Sequence, residues 1–314
     1  MMKDFVGKLF PAVPCLFDEA GNLDEDANLH YAEYMSGAPV DGVAVWVHTG
    51  RGLFLNEHER EKVFSIWRRK FRDKIVIAGA GADSDVFESE GEDGYIERAV
   101  KMANMAKDLG ADALLIFPPK PFEDHGKKVI KYHEEISSVE LPMILFYLYP
   151  EAGGVEYDFE ILERLLGMKW VIGIKLATLY SVVKMQDISN FVVEKFPNKV
   201  LITGEDRMFG YSLIRGAKSA LIGLGSVLPN IQREMMNAYF EKDYDRFVKL
   251  MITVDKIAES LFVDPMEGYI ERIEYMLYLL GIVPRKNVFD PHGPGIHDGD
   301  KERIRKVLVE LGYL

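Results

Sequence analysis

Short apolar runs alternate with longer amphipathic stretches along the first 240 residues, and this alternation predicts the architecture. Residues 9–17, 43–47, 75–79, 113–117, 142–149, 171–177, 200–203 and 219–223 read as strands. Their apolar residues run nearly without interruption, as in strands covered on both faces. Between them, periodic segments predict helices over 23–35, 56–70, 95–109, 126–138, 158–166, 181–196, a short turn of helix after 206, and 229–240. Asn56 followed by Glu59 is a capping-box pattern, and Gly110 sits where a helix C′ glycine belongs. Eight strands in strict alternation with eight helices imply a parallel sheet with right-handed crossovers. Eight is also the number that closes a (β/α)8 TIM barrel. An open doubly wound sheet is the competitor, but it wants a phosphate-binding glycine pattern after the first strand, and none is present. The expected fold is therefore α/β, with a catalytic barrel over residues 1–240. A C-terminal helical extension over 241–314 follows, with helices at 245–262, 266–280 and 299–311 packing as a bundle against the barrel.

Composition adds exclusions. A net charge of −12 argues against non-specific binding to nucleic acid or to anionic membrane surfaces. The single cysteine, Cys15, rules out an internal disulfide and any cysteine-cluster metal site. No segment reaches the ~18 apolar residues of a membrane span, and residues 1–10 lack the apolar core of a signal peptide, so a cytoplasmic protein is expected.

Candidate chemistry sits where barrels carry it, at the C-terminal ends of the strands. The run Val171-Ile172-Gly173-Ile174-Lys175-Leu176-Ala177 places one lysine inside an apolar strand. Strand alternation puts Gly173 and Val171 on the lysine's side, with Gly173 leaving open space beneath its stem. An enclosed lysine resists protonation, and its free amine is a nucleophile. The plain alternative is a lysine that marks the strand end with its ammonium in water. At the second strand end, His48-Thr49-Gly50 offers an imidazole, a hydroxyl and a turn whose N–H groups can receive an anion. The fifth strand carries Tyr147, a phenol expected near the barrel mouth. Amine, phenol and N–H-rich turn together suit imine chemistry on a 2-oxo acid: the amine attacks the keto carbon, the phenol moves protons, the turn holds the carboxylate.

The same residues carry a family resemblance. Asp41-Gly42-Val43, Thr49-Gly50, Leu55 to Arg60, Leu141 to Tyr147 with Pro150, Gly173-Ile174-Lys175 and Gly204-Glu205-Asp206 occur in order across the barrel. In these pieces the chain resembles the dihydrodipicolinate synthase/N-acetylneuraminate lyase family of pyruvate-dependent class I aldolases. The resemblance implies a Schiff-base lysine at Lys175, a proton-relaying phenol at Tyr147, and a carboxylate held by Thr49 with the backbone around His48 and Gly50. It implies no metal or other cofactor, a small-molecule 2-oxo acid as substrate, and a homotetramer. Asp206 and Ser226, the latter in Gly223-Leu224-Gly225-Ser226, resemble positions where sialic acid lyases meet sugar hydroxyls.

The chain also departs from the family pattern. His48 replaces a hydroxyl of the synthases' proton relay, Arg51 replaces a glutamate, and Leu148 replaces an asparagine. Ala152 stands where the synthases hold the aldehyde substrate's carboxylate with an arginine, and residues 118–122 lack the tyrosine that synthase subunits lend each other. These differences favour breaking or forming a C–C bond next to a lysine-bound enamine, then dehydration of a 2-keto-3-deoxy sugar acid, with dihydrodipicolinate synthesis third. A non-catalytic 2-oxo-acid binder is the alternative from another class. Asp290, His292, His297, Asp298 and Asp300 also lie in one proline- and glycine-rich stretch. They read as a capped loop before the last helix rather than as metal ligands.

Overall fold

The computed structural model describes residues 3–314. In chain order the barrel elements are β1 (Leu9–Pro11), α1 (Glu25–Ser36), β2 (Gly42–Val45), α2 (Glu57–Lys70), β3 (Ile75–Ala80), α3 (Ser84–Asp108), β4 (Ala113–Ile116) and α4 (Gly126–Ser137). The second half continues with β5 (Met143–Leu148), α5 (Phe159–Leu166), β6 (Val171–Ala177), α6 (Val182–Lys195), β7 (Val200–Thr203), α7 (Phe209–Ile214), β8 (Ser219–Ile222) and α8 (Pro229–Phe240). The strands pair in parallel in the order β1-β8-β7-β6-β5-β4-β3-β2. The seam between β1 and β2 is drawn together by an Ala12–Ala44 bridge, with the Val13 N–H donating to the Ala44 carbonyl at 3.2 Å. The expected barrel is the observed fold.

Local signals fix several boundaries. The Asn56 side chain accepts from the Glu59 N–H at 3.0 Å while Glu59 accepts from the Asn56 N–H at 2.9 Å, the reciprocal cap that starts α2. The helix expected over 95–109 begins earlier, at Ser84, with Asp83 as its cap. A break at Gly91 (φ 73°) interrupts it, so the apolar period becomes regular only from Tyr95 onward.

Side-chain alternation divides the apolar residues into two cores. Phe10, Ile77, Leu115, Ile144, Phe146, Ile202 and Leu221 fill the inside of the barrel. Leu145, Ile174 and Leu176 point outward, against helix residues such as Tyr132, Leu162 and Met185. No helix among the described residues is long and apolar enough to cross a membrane.

The C-terminal extension is helical: α9 (Tyr244–Leu261), α10 (Tyr269–Leu279) and α11 (Asp298–Glu310), with α9 packed along α8 and α11. The segment joining α9 to α10 contributes Phe262 and Met266 to the cavity at the C-terminal ends of the strands. A fully buried arginine holds it there. Arg272 donates to the carbonyls of Leu261 (3.1 Å), Val263 (2.7 Å) and Pro265 (3.2 Å). Its Nε lies 3.2 Å from Asp300 Oδ2, an ion-pair contact off the hydrogen-bond direction. Replacing Arg272 with leucine strands these acceptors away from water, and breaking such a buried charge pair costs about 3–5 kcal/mol. Urea unfolding of Arg272→Leu is expected to show a loss of that order; an unchanged midpoint would mean the segment is held by apolar packing alone.

Candidate active site

Lys175 lies on β6 opposite Phe146 of β5 and Ile202 of β7, and strand neighbours share a face, so its side chain enters the barrel. It is 6% exposed, with Nζ 4.2 Å from the centroid of the Phe146 ring. The stem fits because of Gly204, where an added Cβ would fall 2.4 Å from Lys175 Cε. Gly173 does not supply the expected space: a Cβ there would meet the Val200 carbonyl oxygen at 2.2 Å, so this glycine lets β7 approach. Val171 does not share the lysine's side either. The β5–β6 register slips between Met143 and Ile144, and Val171 turns toward the helices.

Among the described residues no side chain pairs with the lysine amine. Burial drives its pKa down, against the pull of the Asp206 and Glu205 carboxylates. Burial likewise raises Asp206, even though Asp206 accepts the Leu224 N–H at 2.7 Å. Glu205 is raised to about 7 by burial, despite accepting from the Thr178 N–H (2.6 Å), the Thr178 hydroxyl (2.8 Å) and the Leu179 N–H (3.1 Å). An amine that gives up its proton more readily than an ordinary lysine, next to carboxylates that ionise with difficulty, is an arrangement for passing protons near neutrality.

Around the amine is a cavity of about 30 Å³, lined by His48, Thr49, Phe146, Tyr149, Asp206, Tyr269 and apolar neighbours. The Thr49 and Tyr269 hydroxyls are 2.9 Å apart, one donating to the other. Glu267, on the turn before α10, gathers the rest of the mouth. Its carboxylate accepts from the Tyr149 hydroxyl (2.8 Å), His48 Nε2 (3.0 Å) and Arg51 Nη1 (3.1 Å). Burial alone would raise the Glu267 carboxyl, but His48, Arg51 and Tyr149 outweigh it and hold it at about 2. Arg51 is itself clamped by Asp290, with contacts of 2.6–3.2 Å.

Of the residues singled out in the sequence, His48, Thr49, Lys175 and Asp206 converge on this cavity. Tyr147 does not. It lies in the outer core with Met143 and Leu145, its ring edge-on to Tyr157 at 5.9 Å, while Phe146 occupies the inner position beside the lysine. The phenols that face the cavity are Tyr149 and Tyr269. Ser226 is fully buried, donates to the Ala12 carbonyl at 2.8 Å and does not line the cavity. The Gly50 N–H closes its own turn onto the Val47 carbonyl at 2.9 Å, so it is not turned to an anion. In the Asp290–Asp300 stretch, Asp290 serves Arg51, Asp300 serves Arg272 and Arg303, and His297 caps α11. Glu267, Tyr149 and Tyr269 went unread in the sequence. The signal that could have found two of them is a glutamate and a tyrosine just after a proline at the start of a helix otherwise packed in the core.

The chain is 25% identical over 307 residues to a 4-hydroxy-tetrahydrodipicolinate synthase of Methanothrix thermoacetophila, covering 98% of this chain and 97% of the relative. A crystal structure of dihydrodipicolinate synthase from Thermotoga maritima superposes with a TM-score of 0.84 at 22% identity, covering 100% of both chains. N-acetylneuraminate lyase from Mycoplasma synoviae superposes with a TM-score of 0.78 at 20% identity, covering 97% of each. The profile of the dihydrodipicolinate synthetase family matches residues 5–310. With that match running almost from end to end, the chain belongs to the dihydrodipicolinate synthetase family.

Proposed function

We propose that this chain is a lysine-imine lyase that cleaves a hydroxylated 2-oxo acid to pyruvate and an aldehyde. The observation that carries the reading is the buried, unpaired amine of Lys175 at the C-terminal end of the barrel, facing a cavity with Asp206 and two phenols. The amine adds to the keto carbon, and the resulting carbinolamine loses water as Tyr149 gives a proton to the departing hydroxyl. In the protonated imine, the C3–C4 bond breaks as Asp206 takes the proton of the C4 hydroxyl. The bonding pair moves into the enamine, and the aldehyde leaves. Protonation at C3 and hydrolysis return pyruvate and the free lysine. The imine nitrogen is the electron sink, so the step needs no metal or organic cofactor. The Thr49 and Tyr269 hydroxyls, 2.9 Å apart on the same cavity, support a reading in which they hold the substrate's carboxylate.

The relatives named 4-hydroxy-tetrahydrodipicolinate synthase make condensation of pyruvate with aspartate semialdehyde the second reading. Ala152 argues against it: it lines the outer cavity where a distal carboxylate would want a bidentate arginine, and it has no donor to give.

Pyruvate with borohydride is expected to add a reduced adduct at Lys175, located by peptide mapping, and Lys175→Ala is expected to abolish both adduct and turnover. Labelling at another lysine would sink the reading. The adduct's pH dependence follows from the burial. The reactive free amine increases with pH, and its midpoint should lie below the ordinary lysine value of 10.5. Asp206 opposes that lowering, so Asp206→Asn should move the midpoint further down; an unmoved midpoint would show that Asp206 is not ionised beside the lysine.

The phenol assignment has its own test, pyruvate release from 2-keto-3-deoxy sugar acids. Tyr149→Phe should slow it by roughly the 10²–10⁴ expected for a lost general acid. Tyr147→Phe, altering only outer packing, should change it by no more than a few-fold. The opposite ranking would put Tyr147 in the reaction.

A further inference from the structure

Outside the inner cavity lies a second one of about 280 Å³, bounded by His48, Arg51, Phe54, Ala152 and His292, with Glu267 in the partition between the two. The partners of Glu267 lie on both sides of that partition: Tyr149 lines the inner cavity, Arg51 the outer, and His48 both. One way for a 2-oxo acid joined to Lys175 to extend its carbon chain runs past this carboxylate into the outer cavity, which shares His48 and Leu148 with the inner one. Glu267 is fixed by three donors and held ionised by them.

Beyond Arg51, which already pairs with Glu267, the outer cavity offers no cation free to meet a distal carboxylate. The Arg51 guanidinium is committed to Asp290 and Glu267, and Lys120 is paired with Glu123. Burial lowers the pKa of His292, whose ring stacks on Phe54 at 4.4 Å. Two further carboxylates, Asp83 and Glu151, line the same space. Among the described residues lining it, both lysine and arginine charges are thus already spent.

We propose that Glu267 is the residue that sets the charge class of the substrate's tail, admitting hydroxyl-bearing or cationic tails and rejecting a distal carboxylate. This inference rests on the lysine-imine reading and deepens it. A hydroxyl or ammonium on the tail can donate to Glu267, whereas a second carboxylate meets like charge with no cation free to bridge the two.

The test compares two acids of equal length that differ only at the far end, 2-oxopentanoate and 2-oxoglutarate, by the rate at which borohydride traps each on Lys175. In the wild-type protein, trapping of 2-oxopentanoate should be faster by roughly tenfold or more, the scale of a like-charge contact. In Glu267→Gln the ratio should fall toward one, with Glu267→Ala as the second variant should the amide disturb folding. Equal trapping of the two acids by the wild type overturns the inference, as does a ratio that neither variant changes. Pyruvate trapped alongside separates the two levels: no adduct from pyruvate defeats the imine reading itself. A pyruvate adduct together with equal rates for the two longer acids defeats only the role of Glu267.

Discussion

An amine taken out of water inside a barrel is the constraint from which the rest of this site follows. A lysine is almost never fully buried without a partner, because desolvating an ammonium is costly. Here the cost is relieved by lowering the amine's pKa rather than by a salt bridge. Gly204 gives the stem room, and Phe146 covers the nitrogen with a ring that neither accepts nor donates a proton. The nearby carboxylates are themselves buried and pushed upward, so they perturb the amine without fixing it as a permanent cation. The result is an amine that its surroundings keep more easily deprotonated than an ordinary lysine.

The second constraint is closure of the mouth, and it ties the C-terminal extension to the chemistry. Arg51 stands just past the second strand in the left-handed backbone region (φ 51°), a conformation that costs a non-glycine residue about 1–3 kcal/mol. Its clamp on Asp290 and its contact with Glu267 oppose that strain and join the barrel rim to the segments before and after α10. Arg272 fixes the same segment from below. The extension therefore completes the active site: without Glu267 and Tyr269, neither His48 nor Thr49 has its partner.

Much of this was legible in the sequence, and the parts that were not failed for physical reasons. The barrel followed from continuous apolar runs at regular spacing, and Lys175 from being the one charged residue inside such a run. Tyr147 was misplaced because a strand has a period of two, so a one-residue error in register exchanges its inner and outer faces. The apolar run over 142–149 gives no hint of which face is which, since both are buried. Gly173 was assigned the wrong task for a related reason: an irregularity in β6 pairing breaks the alternation that the argument assumed. Ser226 and Gly50 were drawn into backbone hydrogen bonds that a linear motif does not reveal. The Pro265-Met266-Glu267 turn before α10 marks Glu267 in the sequence, but what it holds depends on contacts with residues more than a hundred positions earlier in the chain.

With phenylalanine beside the lysine, the strand face that carries Phe146 has no group able to move a proton there. Tyr149 and Asp206, the proton carriers in the proposed mechanism, line the cavity around the amine, and Tyr149 is joined by its hydrogen bond to Glu267 and through it to His48. On the proposed mechanism, proton transfer and recognition of the substrate's tail draw on the same carboxylate. A tail that donates to Glu267 competes with the Tyr149 hydroxyl for one of its oxygens and frees that phenol to turn toward the substrate. In such an arrangement the tail's charge governs more than how tightly the acid binds, because it also governs whether the phenol is available when the carbinolamine must lose water.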